Sequence, residues 1–327
     1  MSLNCPPTFS YLETPEAIIT VCHILMILRF PVHLLGVYCI LAKTPEKMRN
    51  VKWSLLNSHF ITIFLDFSIG FLHIPFIMFP TFSGWPVGLM TRLGVPVSVQ
   101  LYHGVTSVSL AGVGILTVFE NWYYRMSRNF TWESIRSQYL FGNYFLAFTF
   151  FIYPFFWVPE QKMAREVILN ILPCAARVPG VKTSDMYVFS TSPIVPISLI
   201  ATILVFVLTQ ILIFFAITIR NLISKFQHLS PSTYQIQKKF MIAITTQFLA
   251  TALFIGMPLM TVPYSVIMNS FEQSRNNLCF ISLVSYGLIA TTVMLTFHQP
   301  YREWIVGKMS RKERKLQRQA KEIQIHF

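Results

Sequence analysis

The sequence predicts an all-α fold: a seven-transmembrane helix bundle with an outer amino terminus and a short interfacial helix after the seventh span. Seven apolar runs of spanning length, a lopsided distribution of basic residues and a composition too apolar for a soluble chain carry that prediction. A hydrocarbon core about 30 Å thick takes roughly 20 apolar residues of helix to cross. Runs at 17–42, 54–79, 96–119, 139–158, 191–217, 240–265 and 278–298 meet that length. The stretches 145–156 and 199–215 are apolar on every helical face, which suits lipid better than a soluble core. With 54% hydrophobic and 12% charged residues and a mean hydropathy of +0.54, a soluble fold would expose far more apolar surface than it could hide. The chain therefore divides into an extracellular amino terminus (1–16), one seven-transmembrane domain (17–298) and a basic cytoplasmic tail (299–327).

Orientation follows from the Lys and Arg count, because positive charge is retained on the cytoplasmic side during insertion. With the amino terminus outside, 19 basic residues fall in inner segments and 6 in outer ones, leaving Arg29 inside the first run. The formal net charge of +13 thus faces the anionic lipids of the inner leaflet rather than nucleic acid. After the seventh run, Tyr301, Trp304, Ile305 and Met309 alternate with basic residues, the pattern of a helix lying on that leaflet. The first run is too long for a signal-peptide core, so it is expected to stay in place as an anchor.

Within the spans, ionisable groups are costly and point to function or to a partner. Arg29 lies about twelve residues into the first helix from outside and Asp66 about twelve into the second from inside, so both reach mid-membrane depth. They are expected to pair, either as a polar switch or sodium-linked site at Asp66 or as a structural tie between two helices. His23, His33, His59, His73 and His103 are also intramembrane, but none is spaced with another as adjacent-turn metal ligands, and no metal or other cofactor is expected. By position in the outer half of the bundle, His73, Gln100, Tyr102, His103, Tyr264, Ser282 and Tyr286 are candidates to line a ligand cavity, and each is equally a residue type that packs in a core. Pro258 and Pro263 interrupt the sixth run, while Pro31, Pro75, Pro154 and Pro196 fall in other spans; each removes a backbone donor and permits a bend. Of the five cysteines, Cys22, Cys39 and Cys279 read as packing residues, whereas Cys5 and Cys174 lie in outer segments where oxidising conditions allow a bridge.

Local motifs narrow the class. Leu41-Ala42-Lys43-Thr44-Pro45-Glu46-Lys47-Met48, running on to Val51-Lys52-Trp53, resembles the first inner loop of the nematode serpentine receptors of class H (Srh), which are similar to G-protein-coupled receptors. Pro6-Pro7-Thr8, Tyr11-Leu12-Glu13, Phe119-Glu120-Asn121, Leu172-Pro173-Cys174 and His298-Gln299-Pro300-Tyr301-Arg302 extend the resemblance over nearly the whole chain in the same order. The resemblance implies a chemosensory receptor in the plasma membrane, in sensory cilia of chemosensory neurons, that binds a small odorant-like molecule and promotes nucleotide exchange on a heterotrimeric G protein. It implies no enzymatic role, and no phosphate loop, zinc motif or paired intramembrane carboxylates occur in the sequence. Coupling would involve Glu120, Asn121, Trp122, Arg125, Tyr301 and Arg302.

One position departs from the pattern. Relatives of this shape end the third helix with an acid, one residue, then arginine and tyrosine, but here Glu120-Asn121 is followed by Trp122. An indole lacks the guanidinium's fork of donors. Either coupling is weakened, or Arg125 substitutes, or Trp122 is only an anchor in the interfacial aromatic belt. A ligand-gated channel or small transporter is the alternative function; the charge-derived orientation and the lack of duplicated halves speak against it.

The orientation has a direct test. A glycosylation sequon engineered near Ser10 is expected to be used and the natural one at Asn129 to stay bare; glycan at Asn129 in the full-length protein would reverse the topology.

Overall fold

The computed structural model describes residues 8–46, 49–127, 130–180, 182–224 and 231–308. Among them are seven helices long and apolar enough to cross a membrane. In chain order the elements are α1 (Pro15–Lys43), α2 (Arg49–Phe67), β1 (Pro75–Ile77), β2 (Ser83–Pro86), a single turn α3 (Leu89–Arg92), α4 (Val97–Ser127), α5 (Phe130–Thr149), α6 (Gln161–Ile171), β3 (Tyr187–Val188), α7 (Ile194–Ser224), α8 (Pro231–Ile267) and α9 (Gln273–Phe297). A last helix, α10, covers 299–308. The spans are α1, α2, α4, α5, α7, α8 and α9.

Helices in lipid gain little from hiding apolar surface, so close backbone approach decides which of them meet. α4 supplies it with small residues and sits in the middle of the bundle, packed on α2, α5 and α7. Gly114 takes Ile61 of α2 at a distance that an added Cβ would reduce to 3.1 Å, and Gly104 faces the ring of His73. α9 packs on α8, α1 and α2, while α8 and α7 have little contact with each other.

Several helices outrun their expected bounds, and the second and fourth spans depart from them for a local reason. The second was expected to run to 79, but its α-helix ends at Phe67, widens into a π-helical turn at Ser68–His73 and stops. Pro75 has no N–H to continue the ladder and disfavours a helical residue before it. Ile74 accordingly turns left-handed, at φ 40°, an unfavourable conformation for a β-branched side chain. Pro75 therefore lies in a strand and not in a span. The chain folds back as an antiparallel hairpin, β1 on β2, to which β3 from the connection between α6 and α7 adds as a third strand. The fourth span begins earlier than expected, at Phe130, because its first turns carry Thr131, Glu133 and Arg136, which a search for apolar runs passes over.

The small sheet and α6 cap the end of the bundle that carries the amino terminus. Glu160 caps α6 by accepting from the N–H groups of Lys162 (2.9 Å) and Met163 (2.8 Å), and those donors hold its carboxyl below the usual range. Gln161 bonds both the carbonyl and the N–H of Val188, each at 3.0 Å, tying α6 to β3. Cys174, fully buried in this cap, is disulfide-bonded; its expected partner Cys5 lies outside the described residues. At the opposite end Trp304 of α10 lies between Lys43 and Lys308, whose Nζ atoms stand 5.2 and 4.6 Å from the ring centre. Met309, expected in the same helix, is outside the described residues, as are most of the tail's basic side chains.

Mid-bundle, a polar cluster joins α1, α2 and α9. The expected pair is present at the limit of ionic contact: Arg29 Nη1 is 4.0 Å from Asp66 Oδ2. Asp66's direct hydrogen-bond partner is instead His33, whose Nε2 donates to Oδ2 at 2.9 Å. His33 Nδ1 accepts from Thr291 of α9 (3.1 Å), and Arg29 donates to the carbonyl of Val284 (3.2 Å). Glycines make the room. A Cβ on Gly287 would overlap the Asp66 carboxylate, one on Gly70 would stand 2.5 Å from Arg29 Nη2, and one on Gly36 would stand 2.7 Å from His59 Nε2.

Gly287→Ala is therefore expected to lower the thermal stability of the solubilised protein by several degrees. Gly256→Ala, at a position where nothing stands within 4 Å of the added Cβ, should change it little. Equal melting temperatures for the two variants would show that the packing around Asp66 does not limit stability.

Candidate functional site

Beneath the cap, between the adjoining halves of α4, α7, α8 and α9, lies a cavity of about 210 Å³. Its walls are almost wholly apolar. α4 contributes Val97, Leu101, Gly104, Val105 and Val108, a spacing that puts all five on one helical face. Phe151 and Phe155 close one side, Pro196 and Leu199 of α7 and Pro258 and Val262 of α8 the next, and Phe280 and Leu283 of α9 the last. The sheet forms the roof through Phe82, Trp85 and Tyr187, and His73 stands at the end of the π-helical turn. Among the described residues no Asp, Glu, Lys or Arg is on the wall.

Of the seven residues expected to line a ligand site, the structure places only His73 there. Gln100 is buried with its amide bonded to Val95 O (2.8 Å) and Thr91 (3.1 Å). Tyr102 donates to Phe148 O at 2.5 Å on the α5 side, and His103 meets Ser68 Oγ at 3.3 Å on the α2 side. Tyr264 is 49% exposed and lies beneath the Arg275 guanidinium, 5.3 Å from ring centre. Tyr286 is buried against Thr251 and Thr62. Polar groups on α4 turn to neighbouring elements, where partners exist, and leave the cavity wall to the valines, Leu101 and Gly104.

Ser282 has another task. Pro258 in α8 lacks the N–H that would bond the carbonyl of Phe254, four residues back. Ser282 Oγ of α9 donates to that carbonyl at 3.4 Å, so a neighbouring helix satisfies the freed group. The cavity thus touches α8 at the residue where its ladder is interrupted.

At the end of the bundle away from the cap, the six residues expected to meet a partner protein divide sharply. Glu120, Asn121, Trp122 and Tyr301 are buried, none more than 3% exposed, whereas Arg125 and Arg302 are exposed. Trp122 packs in the inner core with Phe119, Met126 and Leu222. That corrects its reading as an interfacial anchor, which would place the indole at the lipid headgroups. Tyr301 bonds Thr44 Oγ1 at 2.8 Å, and burial pushes its phenol up to about 12. Arg302 donates to Thr296 O at 3.4 Å.

The guanidinium that position 122 lacks comes from the next helix. Arg136 of α5 donates through Nε to both oxygens of Glu120, at 2.8 and 3.0 Å, and through Nη2 to Asn121 Oδ1 at 2.9 Å. Trp132 Nε1 adds a second donor to Glu120 at 2.8 Å, and Arg136 stacks over Tyr124 at 4.4 Å. Arg125, the expected substitute, has its guanidinium 5.5 Å from the Tyr124 ring centre. Two signals in the sequence could have found the missed residues. His33 follows Arg29 by four and so shares its helical face, and Trp132 and Arg136 are likewise four apart at the start of α5.

A family model described as serpentine type 7TM GPCR chemoreceptor Srh matches residues 13–311 of the chain. Serpentine receptor class H-72 of Caenorhabditis elegans is 28% identical over 310 residues, spanning 92% of this chain and 88% of that protein.

Glu120→Ala and Arg136→Ala are each expected to destabilise the solubilised protein, with a coupling energy of about 1–3 kcal/mol in the double-mutant cycle. Losses that simply add would show that the two groups do not act together in the membrane.

Proposed function

Because this chain belongs to the Srh family of serpentine seven-transmembrane chemoreceptors, we propose that its outer cavity binds a small odorant-like external ligand and that binding promotes nucleotide exchange on a heterotrimeric G protein. The family makes it a multi-pass membrane receptor and not a member of an enzyme class. The observation that carries the ligand reading is the cavity itself, roofed by a disulfide-bonded cap and walled by four spans.

The amino terminus and the cap are external in this reading. The charge split supports it, and so does the disulfide at Cys174, since such bonds persist on the oxidising side of a membrane. The site of action is the plasma membrane, and by family analogy the sensory cilium. A ligand filling the cavity presses on Pro258 and Leu259, where the Phe254 carbonyl depends on Ser282. Displacing α8 there exchanges that bond and swings the inner half of the helix. α8 can move because it packs mainly on α9 and touches α7 little. Its inner end is held to α10 by Lys239 Nζ donating to Gln299 Oε1 at 2.8 Å. The exposed Arg125 and Arg302 are the groups of the inner face that offer charge to the G protein, and Lys43 and Lys308 beside Trp304 offer it to anionic lipid.

In cells carrying a G-protein reporter, a panel of small volatile compounds should yield an agonist whose response is lost, or shifted more than about tenfold in concentration, in Val105→Trp, which fills the cavity from α4. Surface staining of both forms controls for expression. A response that survives the filled cavity at unchanged concentration would place the ligand elsewhere.

A further inference from the structure

Polar atoms contribute almost nothing to the surface that faces the cavity beneath the cap. Sequence and hydrogen bonding bring this about together. Pro75, Pro86, Pro196 and Pro258 all stand on the wall, and a proline has no N–H to offer. Carbonyls of the roof are spent within the cap: Ser83 O accepts from Met78 N at 2.8 Å and Phe82 O from Phe189 N at 3.2 Å. Where Pro258 breaks the ladder of α8, Ser282 of α9 occupies the freed Phe254 carbonyl at 3.4 Å.

The side chains are spent as well. Thr261 gives its hydroxyl proton to Met257 O at 2.9 Å. Thr81 gives its own to Met78 O (2.6 Å), so the 2.8 Å bond between Thr81 and Ser83 uses the Ser83 proton. His73 is 4% exposed, and its Nδ1 is buried out of reach of a guest.

A guest that carries a hydrogen-bonding group must therefore leave that group unpaired on entry. It forfeits the bonds it made to water or to lipid headgroups, and an unpaired buried donor or acceptor is costly. With no Asp, Glu, Lys or Arg among the described wall residues, a carboxylate or an ammonium would also lack a counter-charge. A hydrocarbon has no such loss. An apolar cavity gives water too few partners to hold it, so a hydrocarbon competes with a void and gains the dispersion contacts that a void forfeits. The volume of about 210 Å³ exceeds the roughly 150 Å³ that holds benzene in a well-studied protein cavity. By proportion it takes a guest of roughly eight non-hydrogen atoms, the size of p-xylene.

We infer that the cavity takes a small uncharged hydrocarbon and rejects molecules of the same shape that carry a hydroxyl or a carboxylate. The inference rests on the cavity being the ligand site. Selectivity of this kind comes from what the wall withholds: every donor and acceptor near it already has a partner in the protein or is turned away from the void.

The test uses the full chain in nanodiscs, with tritiated p-xylene in sealed vials as probe and Val105→Trp nanodiscs as the blank for bilayer partitioning. p-Xylene should be retained above the blank. p-Cresol, in which a hydroxyl replaces one methyl group, should compete about tenfold less well at matched bilayer concentration, and p-toluate should not compete. Val105→Thr keeps the shape of the wall and adds an acceptor, because its hydroxyl proton is drawn to the carbonyl four residues back and a lone pair is left to the cavity. That variant should bring p-cresol to within about threefold of p-xylene. The comparison stands even if Val105→Trp fails to fold, with empty nanodiscs as the blank. If p-cresol competes as well as p-xylene in the unmodified protein, or if Val105→Thr leaves their ratio unchanged, the hydrocarbon assignment falls while retention above the blank keeps the cavity as the binding site. If no compound is retained above the blank, the cavity reading falls with it.

Discussion

Asp66 is 1% exposed at mid-membrane depth, where neither water nor lipid can solvate a carboxyl group, so its partners must come from other helices. That requirement fixes how α1, α2 and α9 meet. From one face of α1 His33 supplies the donor and Arg29 the opposite charge, and Thr291 and the Val284 carbonyl orient these two side chains from α9. With these three helices placed, α2 holds α4, and α9 holds α8. The cavity lies on the far side of the same helices, so the position of its α9 and α8 walls depends on a bond made deeper in the membrane.

The seven spans were legible in the sequence because a membrane helix announces itself through length and apolarity, with no need for a partner. Elements defined by long-range pairing were not legible. The sheet has strands of two to four residues, too short for any alternation, and β3 joins it from a distant loop. Even there one local signal existed: Pro75 marks the end of α2, and treating it as a tolerated proline inside a span hid the break.

The cavity wall was illegible for a different reason. Polar side chains were taken as the ligand-facing ones, yet a polar group inside a membrane protein is drawn to whatever donor or acceptor is nearest, so Tyr102, His103 and Ser282 face helices and not the void. The cavity is marked instead by Val97, Leu101, Gly104, Val105 and Val108, an apolar stripe that no single-residue criterion singles out. At the inner end the missing arginine at position 122 was legible, but its replacement was not. Arg136 restores a guanidinium to Glu120 from α5, so the acid stays neutralised although the contact now joins neighbouring helices in sequence.

The three glycines around Asp66 also bear on how this chain can drift. Any single-base change in a glycine codon that alters the residue installs a side chain with at least a Cβ. At Gly36, Gly70 and Gly287 that atom would come within 2.8 Å or less of a buried His59, Arg29 or Asp66. Retreat is blocked on every side, because those side chains are themselves pinned by hydrogen bonds to other helices. A one-step change at any of these codons therefore forces one of the three buried side chains out of its hydrogen bond. The strain is relieved most directly when a glycine and its opposing ionisable residue change together.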